Sequence, residues 1–370
     1  MKLGPLLFEP IYRSYVWGDR NFERLFGRVL PPDAPTAESW ELSDVDGAIS
    51  RVESGPFEGR SLRDLCREFP TDMFGEQNGS LIHANRRFPL LVKFLDAEQV
   101  LSVQVHPDDR FAAEHENGSL GKTEMWFIVE ARGNAEVIAG LQPGTTRAEF
   151  IAAARSGTLE PLLRHHPVCA GDVVHVPAGR IHAMGGGIVA LEIQQTSDVT
   201  YRLHDWGRVG PDGRPRPLHL DRAMEAINFQ DEGKAVTQPV RRAENTGVWS
   251  LLGVSLFFLT ESFSRFRSIP CATLSKSPDI LVALNGGLSI LWDQGALTVP
   301  SGRTALIPSC VGPYRLEATE DTVVVRSRVP GPSNVLGDWT PRNSEERKAI
   351  LDACDTRVAE LVVTQTGRRV

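Results

Sequence analysis

Ser102, Gln104 and His106 occupy alternate positions in Leu101-Ser-Val-Gln-Val-His106. On an extended strand, period-two alternation sends these three side chains to one face and Leu101, Val103 and Val105 to the other, so the polar face looks into a cavity. Glu124 in Gly121-Lys-Thr-Glu-Met-Trp126 and His182 in Pro177-Ala-Gly-Arg-Ile-His182 add two further ligand types. Two imidazoles, one carboxylate and one amide oxygen form a reasonable ligand set for a catalytic divalent metal. A single carboxylate leaves net positive charge, which preserves Lewis acidity toward a bound oxygen. Lys122, two residues before Glu124, shares its face. Beside a cation and partly out of water, a lysine gives up its proton more readily and becomes a candidate base. Taken singly, these residues have plainer readings: Gln104 as a satisfied interior amide, Glu124 as an ion-pair partner of Lys122 or Lys93.

Short apolar runs separated by Gly, Pro and Asp must position this set: Phe88 to Leu95, Leu101 to Val105, Glu124 to Val129, Val173 to Val176 and Val189 to Gln194. Their spacing predicts a β-barrel or sandwich. Helices are expected at Leu62 to Glu68 and Thr146 to Ala154, the latter capped by Thr145 or Thr146 with Glu149 in its first turn. His165-His166 is read as the end of that inserted helix, and Gly185-Gly-Gly187 as a hairpin turn. A second β-rich block carries Leu256 to Leu259, Ile280 to Leu284, Leu288 to Trp292 and Thr322 to Arg326, with Asn285-Gly-Gly287 as a turn. Pro330-Gly-Pro-Ser333 then breaks the pattern, and Ser344-Glu-Glu-Arg opens a helix expected over Glu345 to Leu361. The division predicted is a metal-binding unit over 1–240, a second β unit over 241–330, and a tail over 331–370. All nine histidines (83, 106, 115, 165, 166, 175, 182, 204 and 219) precede residue 220, so the second unit has no imidazole to offer and is structural or regulatory.

The 370 residues are 41% hydrophobic, enough for a substantial core, and the formal charge of −7 argues against a nucleic-acid or polybasic membrane surface. A local basic pocket for a small anion is compatible with that balance. No apolar run approaches a membrane span, and Met1-Lys-Leu-Gly-Pro5 leads into charged residues, so cytoplasmic residence is expected. The five scattered cysteines contain no CxxC pair and indicate neither a disulfide framework nor a thiolate metal site.

Gly171-Asp-Val-Val-His-Val-Pro177-Ala-Gly179-Arg-Ile-His182 resembles the second motif of the cupin superfamily, whose closing residue, usually Asn, is Gly186 here. The resemblance extends to type I mannose-6-phosphate isomerases through Pro89-Leu-Leu-Val-Lys-Phe-Leu-Asp-Ala97, Leu101 to Asp109, Gly121 to Trp126, Pro177 to His182, and Glu192-Ile-Gln-Gln-Thr-Ser-Asp-Val-Thr-Tyr-Arg202. Tyr15-Val-Trp-Gly18 and Glu38-Ser-Trp-Glu-Leu-Ser43 are also similar to segments of that family, although Asp19 stands where a second glycine is common. The fold implied is mainly β, two cupin-type barrels (double-stranded β-helices) with helical insertions and a C-terminal helical tail. The resemblance implies one zinc ion per chain held by Gln104, His106, Glu124 and His182. It implies an active site completed by Lys122, Glu192, Asp198 and Arg202, with Lys93 and Ser102 in the substrate pocket. For Lys93 a snorkelling lysine at the core edge is the plain alternative, and for Arg202 a pair with Asp198. The activity implied is interconversion of mannose 6-phosphate and fructose 6-phosphate through a cis-enediol. Apart from the resemblance, a monomer is expected, and the charge and hydropathy predict no nucleic-acid or membrane partner. Two other classes fit a cupin: a non-catalytic sugar-binding module, and a non-haem iron oxygenase, in which Gln104 would take a position oxygen needs. The ligand types also accept Mn, Fe or Co.

Overall fold

The structure is a computed structural model that describes residues 2–32, 34–75, 87–209, 213–273, 277–318, 321–330 and 335–365. His83 and most of the Pro330–Ser333 break lie outside these residues. The chain is mainly β, as its alternating runs predict. Two units are each built from a pair of antiparallel sheets. In the first, a seven-stranded sheet runs in the order Val236–Thr237, Val173–Val176, Glu124–Ala131, Ile188–Gln195, Leu90–Ala97, Glu38–Leu42 and Ile11–Arg13. Its companion has five strands: Leu163–Pro167, Glu136–Leu141, His182–Met184, Val103–Val105 and Tyr201–His204. The second unit pairs another seven-stranded sheet, with Asp279–Asn285 near its middle, with a four-stranded one ending in the Leu288–Trp292 and Gly295–Val299 hairpin.

The outer faces of the Leu101–Val105 segment go where alternation sends them: Val103 and Val105 are fully buried among Phe150, Ile181 and Leu203. The largest apolar cluster joins the two units, since Met125 and Val189 of the first pack with Leu252, Ile280 and Val325 of the second. The start of the chain also reaches across, with Leu6 paired to Leu306 at the edge of the second unit's sheet. Inside the second unit lies a buried ion network. Glu261 accepts from Arg326 at 2.7 and 3.0 Å, from Arg328 at 3.2 Å and from the Trp339 indole at 2.7 Å, which ties the tail to the sheet.

The helix at Leu62–Glu68 is capped by Ser61, and Arg147–Ser156 begins at a Thr146–Glu149 capping box. The tail departs from the single helix expected: it forms Ser344–Asp352 and Thr356–Gln365. Between them the backbone is diverted onto the second unit, where Val254 N–H donates to Ala353 and Asp355 N–H to Val254, and the Asp355 carboxylate caps the next helix at Val358. Tertiary bonds override local propensity there. His165 and His166 do not end a helix; they sit in the Leu163–Pro167 strand, bonded to Glu136 and to the Ala139 carbonyl. Leu256 to Phe258 form a turn held by the Ser255 hydroxyl, and the strand starts at Leu259. Gly185–Gly187 is a crossing between the two sheets rather than a hairpin. A Cβ on Gly185 would lie 2.2 Å from the Glu136 carbonyl oxygen, so only glycine allows that approach.

Candidate active site

The strand register assembles two facing rows of polar side chains. Across the five-stranded sheet His182 is paired with Gln104 and Gln104 with Arg202, so the three stand side by side. Across the seven-stranded sheet Lys93 is opposite Glu192, and Glu192 opposite Trp126, with Glu124 two residues earlier on the same face. The sheets meet where His182 Nε2 lies 3.5 Å from Glu124 Oε1 and His106 Nε2 lies 3.5 Å from Glu124 Oε2. His106 and Lys122 sit just outside strand ends. His182 is delivered by the Pro177–Gly179 turn, in which Gly179 takes φ +89° and Arg180 N–H closes on the Pro177 carbonyl.

Hydrogen bonding fixes both imidazoles for ligation. His106 Nδ1 lies 2.8 Å from the Val199 carbonyl and His182 Nδ1 lies 2.9 Å from the Arg180 carbonyl. A carbonyl only accepts, so each Nδ1 carries the proton and each Nε2 lone pair faces the cluster. Burial pushes the His182 pKa down to about 3 and that of His106 well below its ordinary value, so both rings are neutral. Glu124 is driven up by burial and by the nearby Glu192, against the pull of Lys122. Its Oε1 is buried with no hydrogen-bond partner. The atoms of His106, Glu124 and His182 lie within 4.8 Å of one another. Gln104 Nε2 is 3.2 Å from His182 Nε2, and turning the amide exchanges its nitrogen and oxygen. Acceptors converging in a buried space, one of them orphaned, fit a divalent cation.

Beside this cluster runs an alternating chain of charge. Lys122 Nζ contacts Glu124 Oε2, lies 2.9 Å from His106 Nε2 and 3.6 Å from Glu192 Oε1. Lys93 Nζ lies 3.2 Å from Glu192 Oε1 and 3.6 Å from Glu38. Lys93 is therefore a buried, paired ammonium and not a snorkelling one; burial alone would lower its pKa, but Glu192 and Glu38 outweigh burial and raise it. Burial raises Glu192, yet Lys93, Lys122 and the Trp126 indole hold its pKa below the ordinary carboxylate value.

These side chains open onto a cavity of about 280 Å³ lined by Lys93, Ser102, Gln104, Lys122, Glu192 and Arg202 together with the exposed Asp198. Arg202 and Asp198 do not pair. The guanidinium instead donates to Ser102 Oγ at 3.3 Å and to the Pro217 carbonyl at 3.0 Å. Burial and the neighbouring Arg216 lower the Arg202 pKa. Residues missed by sequence reasoning complete the wall: Tyr15, Trp17, Glu38, Trp126 and Arg216. The first four lie in segments already notable as blocks, but nothing in their spacing marks them as cavity residues. Arg216 sits in an aperiodic loop where it pairs with Asp205 at 2.5 Å, and carries no local signal.

Among known proteins, residues 6–120 match the model of the phosphomannose isomerase type I catalytic domain. The mannose-6-phosphate isomerase ManA of Bacillus subtilis is 34% identical over 326 residues, 88% of this chain and 99% of that one. The probable mannose-6-phosphate isomerase GmuF of the same organism is 40% identical over 244 residues, 66% of this chain and 75% of that one. A crystal structure of the B. subtilis mannose 6-phosphate isomerase superposes with a TM-score of 0.79 at 28% identity, covering 88% of this chain and 99% of the other. The cupin architecture and the ordered blocks thus agree with each other, and the chain belongs to the type I mannose-6-phosphate isomerase family.

Proposed function

We propose that this protein catalyses the reversible aldose–ketose isomerisation of mannose 6-phosphate and fructose 6-phosphate. The observation that carries the reading is a cation-ready His106–Glu124–His182 cluster whose neighbours Lys122 and Gln104 line a cavity together with Glu192 and Arg202. Family membership leaves the sugar-binding module and the oxygenase without support of their own. Gln104, His106, Glu124 and His182 would hold one zinc ion per chain. Bound there, zinc supplies Lewis acidity worth several kcal/mol of charge stabilisation on sugar oxygens.

Proton transfer falls to the chain's own residues. Glu192 Oε1 is buried and lies outside hydrogen-bond alignment with Lys93, which leaves a lone pair for the proton at C2. The same oxygen returns that proton to C1 as the cis-enediol collapses, a shuttle worth roughly 10²–10⁴-fold. Lys122 Nζ neighbours this oxygen and would follow charge on the sugar oxygens; the alternative assignment makes it the base. Arg202 and Arg216 present two guanidinium groups for the phosphate or the opened ring. Lys93 holds Glu192 ionised, Ser102 orients Arg202, and Asp198 lies at the rim for a sugar hydroxyl.

We assign catalysis to residues 1–240, with 241–330 as a second β unit and 331–370 as the tail. A monomer in the cytoplasm is the proposed state; all five cysteines are free, and among the described residues no helix is long and apolar enough to cross a membrane. The test is isomerisation of mannose 6-phosphate in deuterated water. Deuterium entering C1 of fructose 6-phosphate, and lost in Glu192→Gln, is expected. Deuterium enters to the extent that the carboxyl proton exchanges with solvent before it is returned, and exchange surviving in both Glu192→Gln and Lys122→Met would remove both residues from the role.

A further inference from the structure

A second cavity, of about 480 Å³, lies where the two β units meet and shares no lining residue with the metal-side cavity. Its floor is the outer face of the second unit's seven-stranded sheet. There the register lines up Arg241, Ser250 and Ser262 across three adjacent strands, and Ala243, Val248 and Ser264 in the next row on the same face. Phe127 and Gly171 of the first unit form the opposite wall. Arg265 completes the lining from just beyond the strand end. It holds φ +55°, a left-handed conformation uncommon outside glycine.

The chemistry of this lining is one-sided. It contains two guanidinium groups and no carboxylate, in a chain whose formal charge is −7. Among the described residues, neither Arg241 nor Arg265 has an ion-pair partner, and the Ser250, Ser262 and Ser264 hydroxyls have no hydrogen bond. Two strand spacings separate Arg241 from Ser262, about 10 Å, and Arg265 follows Ser264 directly, so both arginines border the same space as the serines. Two forked cations and three hydroxyls exceed what the two oxygens of a carboxylate accept. They match the three terminal oxygens of a phosphate. The apolar remainder, Phe127, Pro239, Val248 and Val323, suits a ring or short chain, and the volume is that of a small-molecule site.

We propose that this cavity binds a small phosphomonoester, its phosphate held between Arg241 and Arg265 over the serines and its organic part lying on Phe127 and Val248. The site is separate from the isomerase cavity, and the proposal stands whether or not the isomerase reading does. Phenyl phosphate is the probe, titrated calorimetrically into the zinc-loaded full-length chain in four forms: wild type, Arg202→Ala, Arg241→Ala/Arg265→Ala, and the triple variant. In Arg202→Ala, binding at the metal-side cavity is weakened and the second site is expected to remain. Adding Arg241→Ala/Arg265→Ala then weakens that residual binding by at least about tenfold, the loss of charge-assisted bonds. The double variant alone, altered only at exposed arginines, is expected to turn over mannose 6-phosphate as the wild type does. Absence of residual binding in Arg202→Ala, or residual binding of unchanged affinity in the triple variant, would overturn the proposal.

Discussion

Asp96 offers a test of how burial and charge are balanced next to the active site. It lies on the Leu90–Ala97 strand that carries Lys93, fully buried, and accepts from the Asn21 backbone N–H at 2.7 Å and the Asn21 side-chain amide at 2.9 Å. That contact fixes the start of the Asn21–Phe26 helix, just after the Tyr15–Gly18 segment at the cavity wall. Burial raises the Asp96 pKa from 3.8 to about 6, with Asp19 adding to the rise and the Asn21 bonds and Arg132 opposing it. The folded pKa exceeds the unfolded one, so the protonated form favours folding. This contribution is complete below pH 3.8 and is lost as pH rises through about 6. A shift from 3.8 to about 6 corresponds to about 3 kcal/mol. Asp96→Asn removes the titration but keeps one acceptor and loses one hydrogen bond, about 1 kcal/mol. Near pH 4, where a small part of the protonation contribution is already lost, the variant should therefore be less stable than wild type by about 0.5 kcal/mol, and at pH 7 more stable by about 2 kcal/mol. Urea unfolding of both proteins at half-unit steps from pH 4 to pH 7.5 gives the difference at each pH, in which every other titrating group cancels. A difference constant within about 0.5 kcal/mol would refute the reasoning.

Three further changes probe other links. Arg180 forks onto Asp231 at 2.5 and 2.8 Å and donates to the His175 and Gly233 carbonyls, so Arg180→Met should cost about 1.5–3 kcal/mol in urea unfolding by leaving a partly buried carboxylate and two carbonyls without their donor. Trp339→Phe removes the indole donor at 2.7 Å from Glu261 and should cost about 1.5–3 kcal/mol, with the tail released first in hydrogen exchange. Arg202→Lys keeps the charge but loses the planar fork, and steady-state assay should show kcat/KM for mannose 6-phosphate lowered by at least about tenfold.

Much of the site is legible in the sequence because it lies on strands, where a period of two fixes the face. Gln104 follows from alternation, and the same rule, carried just past the ends of their strands, reaches His106 beside Gln104 and Lys122 beside Glu124. Which strands become neighbours is not local information: the His182–Gln104–Arg202 row exists because strands distant in sequence pair in one register. Arg216 enters from a loop without periodicity, and Lys93 reads as a core-edge residue until Glu38 and Glu192 close around it. The same limit explains the errors. Ala353–Asp355 has the composition of a continuing helix but bonds to Val254, and Gly185–Gly187 reads as a hairpin turn until Glu136 and Ala97 on separate sheets are seen to receive its N–H groups.

The central claim is that a cation held by His106, Glu124, His182 and Gln104 makes this cavity an isomerase site. Its most direct test is conversion of mannose 6-phosphate to fructose 6-phosphate by the purified chain, before and after chelation, after zinc restoration, and in His182→Ala with metal content measured alongside. Turnover that falls on chelation, returns with stoichiometric zinc and is absent from a folded, metal-depleted His182→Ala is the predicted result. Undiminished turnover after chelation, or full activity in His182→Ala, would contradict the account.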